Sequence, residues 1–437
     1  MSIKRCSAIL LLLAFALGGA GCLGAVSLEE FKYVAAIGLD KGDQMLYEYT
    51  FLLQSENTSH SQAVTGAAIV LSAEGDTIFE AMNTVHASVA YRLSFERNNS
   101  ILFSRELAQA EGLEQLTKLA FNAWNMRPSV KVGVVVPSAH DYLQAMAGSG
   151  KEDLAELQYN LFQNYSADGI TPIIDYDLLY EAVTGGVLDP VMMLGGLDTS
   201  AVELAKEDQA RLSTVEGSSG GSQPAPEEPQ ENGRAGEAEQ EEEKKEEAEA
   251  EKPRTTTDGV LREGGMAATA IGAALFDGWT MAGALDELQT KYMLMGRGEF
   301  AHGWIKFMYE GDIVVIHCNS IRRRVKMTRL GDAPHARMEL DFTCEILQDN
   351  GPEREDNWSR YLQKAAQAHM EAELQRVFKD CQSLNCDAMG MGQAAVKWFS
   401  GTADWEAYKW KEKYPAMTAE FEVHLLLTNK YITLRME

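Results

Sequence analysis

The chain has 437 residues, 45% of them hydrophobic and 24% charged, with 39 basic against 65 acidic side chains and a formal net charge of −26. That length accommodates about two or three domains, and the hydrophobic share is enough for at least one large core. A surface of this sign repels the phosphates of nucleic acid and of a bare anionic membrane, so nucleic-acid binding is excluded. The charge is uneven: residues 1–22 carry +2, 23–200 carry −14, 201–258 carry −10 and 259–437 only −4.

The first residues read as a targeting signal. Lys4 and Arg5 precede an apolar run over 8–17, and small residues from Gly18 to Gly21 lead to Cys22. The run is too short to span a bilayer core of about 30 Å and has the length of a signal-peptide core. A small residue directly before a cysteine, here Ala20-Gly21-Cys22, is the pattern of bacterial lipoprotein processing. The expectation is cleavage between Gly21 and Cys22 and a diacylglycerol on the Cys22 thiol. Two or three acyl chains anchor stably, each buried methylene contributing about 0.8 kcal/mol. Gly264–Phe276 is small and apolar but too short to cross.

Four regions follow: a signal peptide over 1–21, an N-terminal α/β domain over 22–205, an acidic linker over 206–258 and a C-terminal α+β domain over 259–437. In the first domain Tyr33–Leu39 and Leu46–Gln54 read as strands around the turn residues Asp40-Lys41-Gly42-Asp43. Tyr47, Tyr49, Phe51 and Leu53 alternate onto one face. A helix over Thr77–Ala90, a strand over Ser100–Phe103, a helix over Glu106–Ala123 and a strand over Lys131–Val136 complete two strand–helix–strand units. Residues 216–251 contain no Val, Ile, Leu, Met, Phe, Trp or Tyr. Such a composition buries too little apolar surface to offset its ordering entropy, so the segment reads as a disordered, solvated spacer.

Beyond the spacer, Ala336–Leu347 alternates Met338, Leu340, Phe342, Cys344 and Ile346 against Arg337, Glu339, Asp341, Thr343 and Glu345. This predicts a half-buried strand. Ser320–Thr328 puts Arg322, Arg324 and Lys326 on one face, and a hairpin around Gly331-Asp332 sets that basic row opposite the acidic one. The pairing accounts for the Arg322-Arg323-Arg324 run without an anionic ligand and is favoured over the other reading, a patch for membrane phosphates. A helix over Trp358–Lys379 carries Leu362, Ala366, Met370, Leu374, Val377 and Phe378 on one stripe, and a strand over Glu420–Thr428 ends the domain. The fold class is α+β, with mixed and antiparallel sheets, helices packed on them, and more than one domain.

Motifs for catalysis are missing. Cys318, Cys344, Cys381 and Cys386 permit two disulfides outside the cytoplasm. Cys344 faces the core, either as a small hydrophobe or as a disulfide partner. The Cys381-x4-Cys386 spacing does not match the two-residue spacing of zinc and redox sites. No His-Glu-x-x-His or phosphate-cradling Gly-Lys-Ser/Thr loop occurs, so no metal or cofactor is expected. Ser138, His140 and Asp141 sit too close in sequence to form a catalytic relay.

The order of segments resembles the Ger(x)C family, the lipoprotein C subunits of nutrient germinant receptors in endospore-forming bacteria. The resemblance rests on Ile37-Gly38-Leu39-Asp40-Lys41, Gly75-Asp76-Thr77-Ile78-Phe79-Glu80-Ala81, Leu93-Ser94-Phe95 and Ile101-Leu102-Phe103-Ser104-Arg105-Glu106-Leu107-Ala108. It continues with Ala273-Ala274-Leu275-Phe276, Gly283 to Thr290, and Cys386-Asp387-Ala388-Met389-Gly390-Met391-Gly392 before Tyr414-Pro415. The family's Cys-Trp-Asp-x-x-Glu start is Cys22-Leu23-Gly24-Ala25 here, and the acidic insert is not a usual family feature, which marks a divergent member. Gly38, Gly283, Gly390 and Gly392 are expected at turns or close backbone approaches, and Asp387 as the cap of the following helix.

The resemblance implies a non-enzymatic, lipid-anchored subunit. Its site is the Cys22 anchor on the extracytoplasmic face of the spore inner membrane. Its partners are the integral-membrane A and B receptor subunits. Two other readings are a solute-binding lipoprotein, which requires a cleft between two similar lobes, and an envelope hydrolase using acids such as Glu371 and Asp387.

Overall fold

The computed structural model describes residues 31–54, 68–110, 113, 126–148, 166, 168–197, 267–330, 333–349 and 358–428. Cys22, the 206–258 segment, the Gly331-Asp332 turn and most of the helix expected over 106–123 lie outside the described residues.

Strands β1 (Phe31–Lys41) and β2 (Tyr47–Leu53) form the expected antiparallel hairpin, and β3 (Ile69–Gly75) pairs with β2 on its far side. Helix α1 (Ile78–His86) starts where the Thr77 hydroxyl accepts the Glu80 N–H, the N-cap arrangement that satisfies one free amide. The short β4 (Arg92–Ser94) pairs with β1. Next come β5 (Ser100–Ser104), α2 (Arg105–Ala110), β6 (Lys131–Val135), α3 (Ala139–Ala147), β7 (Ile174–Asp175), α4 (Tyr176–Gly185) and β8 (Val191–Leu197).

The chain returns after the acidic segment as β9 (Ala268–Asp277) and β10 (Thr280–Asp286). Both join the first sheet, whose order is β10-β9-β8-β6-β5-β1-β2-β3. Leu197 on β8 lies opposite Ala268 on β9, so the chain returns beside the strand from which it left. Residues 268–286 therefore pair within the first sheet. Sequence composition marks the spacer but carries no sign of which sheet the chain rejoins.

The central strands β1, β5, β6 and β8 run parallel and are covered on both faces. Ile37, Phe51, Phe103, Val134 and Leu194 pack on one side, and Ala36, Leu52, Leu102, Val135 and Met193 on the other with Tyr142, Leu143 and Met146 of α3. Two-sided burial removes the alternation of a half-exposed strand. That is why β8, which is Val-Met-Met-Leu-Gly-Gly-Leu, is not legible as a strand by period.

Helix α5 (Glu287–Arg297) opens on a capping box between Asp286 and Gln289 and closes at Gly298. It leads into a second sheet of β11 (His302–Tyr309), β12 (Asp312–Leu330) and β13 (Ala333–Asp349). Helix α6 (Trp358–Ser383) follows, then the short α7 (Gly392–Ala395), α8 (Thr402–Tyr408) and α9 (Trp410–Lys413), and finally β14 (Thr418–Thr428). The order is β11-β12-β13-β14, with β13 and β14 parallel.

The charged rows meet as expected. Arg322 lies opposite Asp341 and Arg324 opposite Glu339, with side-chain bonds of 2.9 and 2.8 Å. Arg337 extends the ladder to Glu422 on β14 at 2.5 Å. Cys318 faces Cys344 across β12 and β13 and is joined to it by a disulfide. The whole predicted α6 stripe is buried, and Cys381 extends it. The outward face of this sheet leaves Trp304, Met308 and Ile313 exposed at one end. The fold is α+β with two distinct sheets.

Candidate functional site

A cluster of charged side chains, buried at Asp387, Asp189 and Arg297 and open to solvent at Asp277, lies where the first sheet meets the helical turns after α6. Two of its members come from the first sheet: Asp189, two residues before β8, and Asp277, the last residue of β9. The others are Arg297, the last residue of α5, Asp387 in the turn after α6, and Lys411 in α9. Asp387 is 1% exposed. Its Oδ1 accepts the Met391 N–H at 2.8 Å, and its Oδ2 accepts the Gly392 N–H at 2.6 Å and the Trp410 indole N–H at 3.1 Å. The cap position of α7 is Met391, without a side-chain cap bond, so Asp387 is not the helix cap that its place in the sequence suggests; it receives the Met391 and Gly392 N–H groups from upstream, together with the Trp410 indole.

The glycines around it follow from this packing. Gly390 sits at φ 70°, in the left-handed region. A Cβ on Gly392 would run into the Val187 carbonyl and come within 3.0 Å of the Trp410 indole nitrogen.

Asp387 also donates. Its backbone N–H meets Asp189 Oδ2 at 2.6 Å. The same oxygen receives Lys411 Nζ at 2.6 Å, and Lys411 reaches Asp277 Oδ1 at 3.0 Å. Lys411 Nζ donates as well to the Asn385 carbonyl. Arg297 donates to the Ala388 carbonyl at 2.8 Å and pairs with Glu299 at 2.6 Å. Arg323, the inward member of the arginine run, donates to the Gly296 and Met389 carbonyls at 2.6 and 2.8 Å. Four carbonyls of the 385–389 turn region and its α5 neighbour are thus held by three cations, at a helix end whose carbonyls lack partners of their own.

Burial governs the protonation of the cluster. It raises the Asp387 carboxyl to about 6, against the pull of its three N–H donors. Burial likewise raises Asp189, more than Lys411 lowers it. Lys411 is pulled down by burial, but Asp189 and Asp277 outweigh that and hold it above the ordinary lysine value. Asp189 is the deeper partner, with 11% side-chain exposure against 35% for Lys411.

This arrangement joins the second sheet's helical turns to the first sheet. Both Asp387 oxygens are spent on N–H donors, and the cleft beside it has a volume of about 130 Å³, far below the roughly 300–1,000 Å³ of small-molecule sites. A neighbouring cleft of about 390 Å³ is lined by Leu178, Val187, Leu188, Val191, Arg297 and Glu299, but its guanidinium is already engaged. Glu371, the other acid of the hydrolase reading, accepts the Val423 N–H at 2.9 Å and ties α6 to β14. Ser138 caps α3 by accepting the Asp141 N–H at 3.0 Å. Asp40 takes the Ala139 and His140 N–H groups at 2.7 and 2.8 Å. These side chains hold the α3 N-terminus and form no relay. Cys22 lies outside the described residues.

Sequence reasoning found Asp387 but missed Asp189, Asp277, Arg297 and Lys411. The Asp189–Asp387 bond spans 198 positions and Asp189–Lys411 spans 222, and no local pattern announces such pairs.

Comparison with known proteins gives two family matches. Residues 24–195 match the spore germination protein N-terminal domain, and residues 271–430 match the model described as spore germination B3/GerAC like, C-terminal. Among solved structures, the crystal structure of the GerBC protein is similar at a TM-score of 0.51 and 11% identity, covering 90% of this chain and 97% of that one. At that identity the likeness is one of fold. No curated protein matches the chain.

Proposed function

The chain belongs to the Ger(x)C family of spore germination proteins, and from that premise we propose that it is a lipid-anchored, non-enzymatic subunit of a nutrient germinant receptor. The observation that carries this reading is the pair of family matches, in order, over 24–195 and 271–430. Between them lies the acidic segment.

In this reading the Cys22 lipid holds the protein on the extracytoplasmic face of the spore inner membrane, beside the integral-membrane A and B subunits. No helix among the described residues is long and apolar enough to cross a membrane. Confinement to the membrane raises the effective concentration of the folded part near those partners. The site described above suits a subunit that acts by contact: it spends its buried charges on fixing the second sheet's helical turns against the first sheet. The two sheets, with ten and four strands, are unlike, which disfavours the paired lobes of a solute-binding protein.

Replacing Cys22 by Ala tests the anchor. The variant is expected in the soluble fraction of the envelope, and full membrane retention would sink that part of the reading. Deleting the gene tests the role: nutrient-triggered germination is expected to fall while sporulation proceeds. Unchanged germination to every nutrient, in a strain without a paralogue, would overturn it.

A further inference from the structure

We propose that Cys381 and Cys386 form a second disulfide, which locks the end of α6 to the turn that carries Asp387. The chain leaves α6 through a paired set of bonds. Asn385 adopts φ 50°. Its N–H donates to the Gln382 carbonyl at 3.0 Å, and the Cys386 N–H donates to the Cys381 carbonyl at 3.0 Å. These are the two bonds of a Schellman helix end, which folds the chain back so that the residue after the left-handed position meets the residue five before it. An apolar pair usually makes that contact. Here the two positions are both cysteine.

Both thiols are fully buried and belong to the core cluster that holds the Cys318–Cys344 bond. Burial raises both, and each is raised further by nearby acids, Asp189 and Asp387 among them. The thiolate is the reactive form, so the pair exchanges slowly once the turn is seated. Closure belongs to the stage before Asp387 takes its place beside Asp189.

The chemistry is thiol–disulfide exchange with a disulfide oxidant. One cysteine loses its proton and attacks a sulfur of the oxidant, forming a mixed disulfide and expelling one oxidant thiolate. The second cysteine, also deprotonated, attacks the first and releases the other thiolate. One Sγ–Sγ bond forms, the oxidant gains two electrons, and two protons leave the cysteines. The presence of such an oxidant rests on the extracytoplasmic reading above, because disulfides persist in oxidising compartments; the pairing itself does not.

The test uses the full chain in two preparations, one isolated from the cell envelope and one reduced in denaturant and then refolded in the presence of glutathione disulfide. Each is denatured without reductant, blocked with N-ethylmaleimide, digested and weighed. Residues 380–397 contain both cysteines. The expected fragment carries no maleimide and is lighter than the dithiol by two hydrogens. Two maleimides on this fragment in the glutathione-treated chain, under conditions where Cys318 and Cys344 are bonded, would overturn the proposal. A closed bond after glutathione treatment but a dithiol in the envelope preparation supports the pairing and counts against the location. Blocking the folded, fully reduced chain gives a second measure. The expected labelling of Cys381 and Cys386 is at least tenfold slower than after denaturation.

Discussion

The Asp387 N–H donates to Asp189 Oδ2 at 2.6 Å, so one residue serves as donor through its backbone and as acceptor through its side chain. The two roles point to opposite sides. The backbone reaches the first sheet, and the carboxylate gathers Met391, Gly392 and Trp410. Replacing Asp387 by Ala leaves three buried donors without a partner. Each costs about 1–3 kcal/mol, so a loss of at least about 3 kcal/mol is expected. Urea unfolding of wild type and variant measures it.

The same carboxyl makes stability depend on pH. Its value in the folded chain is about 6, above the unfolded value near 3.9. The folded state therefore binds this proton more tightly than the unfolded state. The stabilisation is fully present below the unfolded value and is lost as pH rises from about 4 through about 6. Other carboxylates act in the opposite direction, Glu74 and Glu422 among them, since both are lowered by hydrogen bonds. The expected observation is thus a difference: wild type loses stability relative to Asp387→Asn across pH 4–6. Parallel pH curves for the two proteins would refute the assignment.

Lys411 bridges Asp189 and Asp277. Lys411→Met keeps the apolar stem and removes the charge, leaving Asp189 without its cation. Removing one partner of a fully buried pair costs about 3–5 kcal/mol. Because Lys411 is 35% exposed, water screens part of that, and a loss of about 1–3 kcal/mol is expected. Adding Asp189→Asn to this variant is expected to recover part of the loss, with a coupling of about 1 kcal/mol or more in a double-mutant cycle.

Glu74 sets the turn between β1 and β2. Its carboxylate accepts the N–H groups of Asp43, Gln44 and Met45 at 2.8, 2.9 and 3.0 Å. A glutamine has one carbonyl oxygen and cannot receive all three. In Glu74→Gln, amide exchange at residues 43–45 is expected to quicken while β2 and β5 keep their protection. Hydrogen exchange resolved by residue reads both at once.

What could be read from the sequence followed a physical divide. Strands with one wet face were legible: Met338 to Ile346 alternate because the other side of β13 carries the ion pairs of Asp341 and Glu339. The α6 stripe was legible because solvent covers its opposite side. Strands β8 and β9 were not, because burial on both faces erases their period. Arg323 shows the same limit within one run. Arg322 and Arg324 were placed correctly by pairing, whereas Arg323 points inward to carbonyls that sequence spacing cannot bring near. Of the site, only Asp387 sat in a local motif. Its partners arrive from positions set by tertiary packing alone.

The Leu197–Ala268 pairing also bears on how such a chain changes over time. The chain leaves one strand at Leu197 and returns on its neighbour at Ala268, and any flexible connection between two adjacent strands adds only closure entropy as it lengthens. That cost grows with the logarithm of length, about 0.6 kcal/mol for each doubling. Insertions and deletions in a flexible connection of this kind are nearly neutral to folding, and selection on the fold leaves them free to accumulate. Such a connection is accordingly a natural place to carry an inserted reporter domain, and its length says little about how closely two such proteins are related.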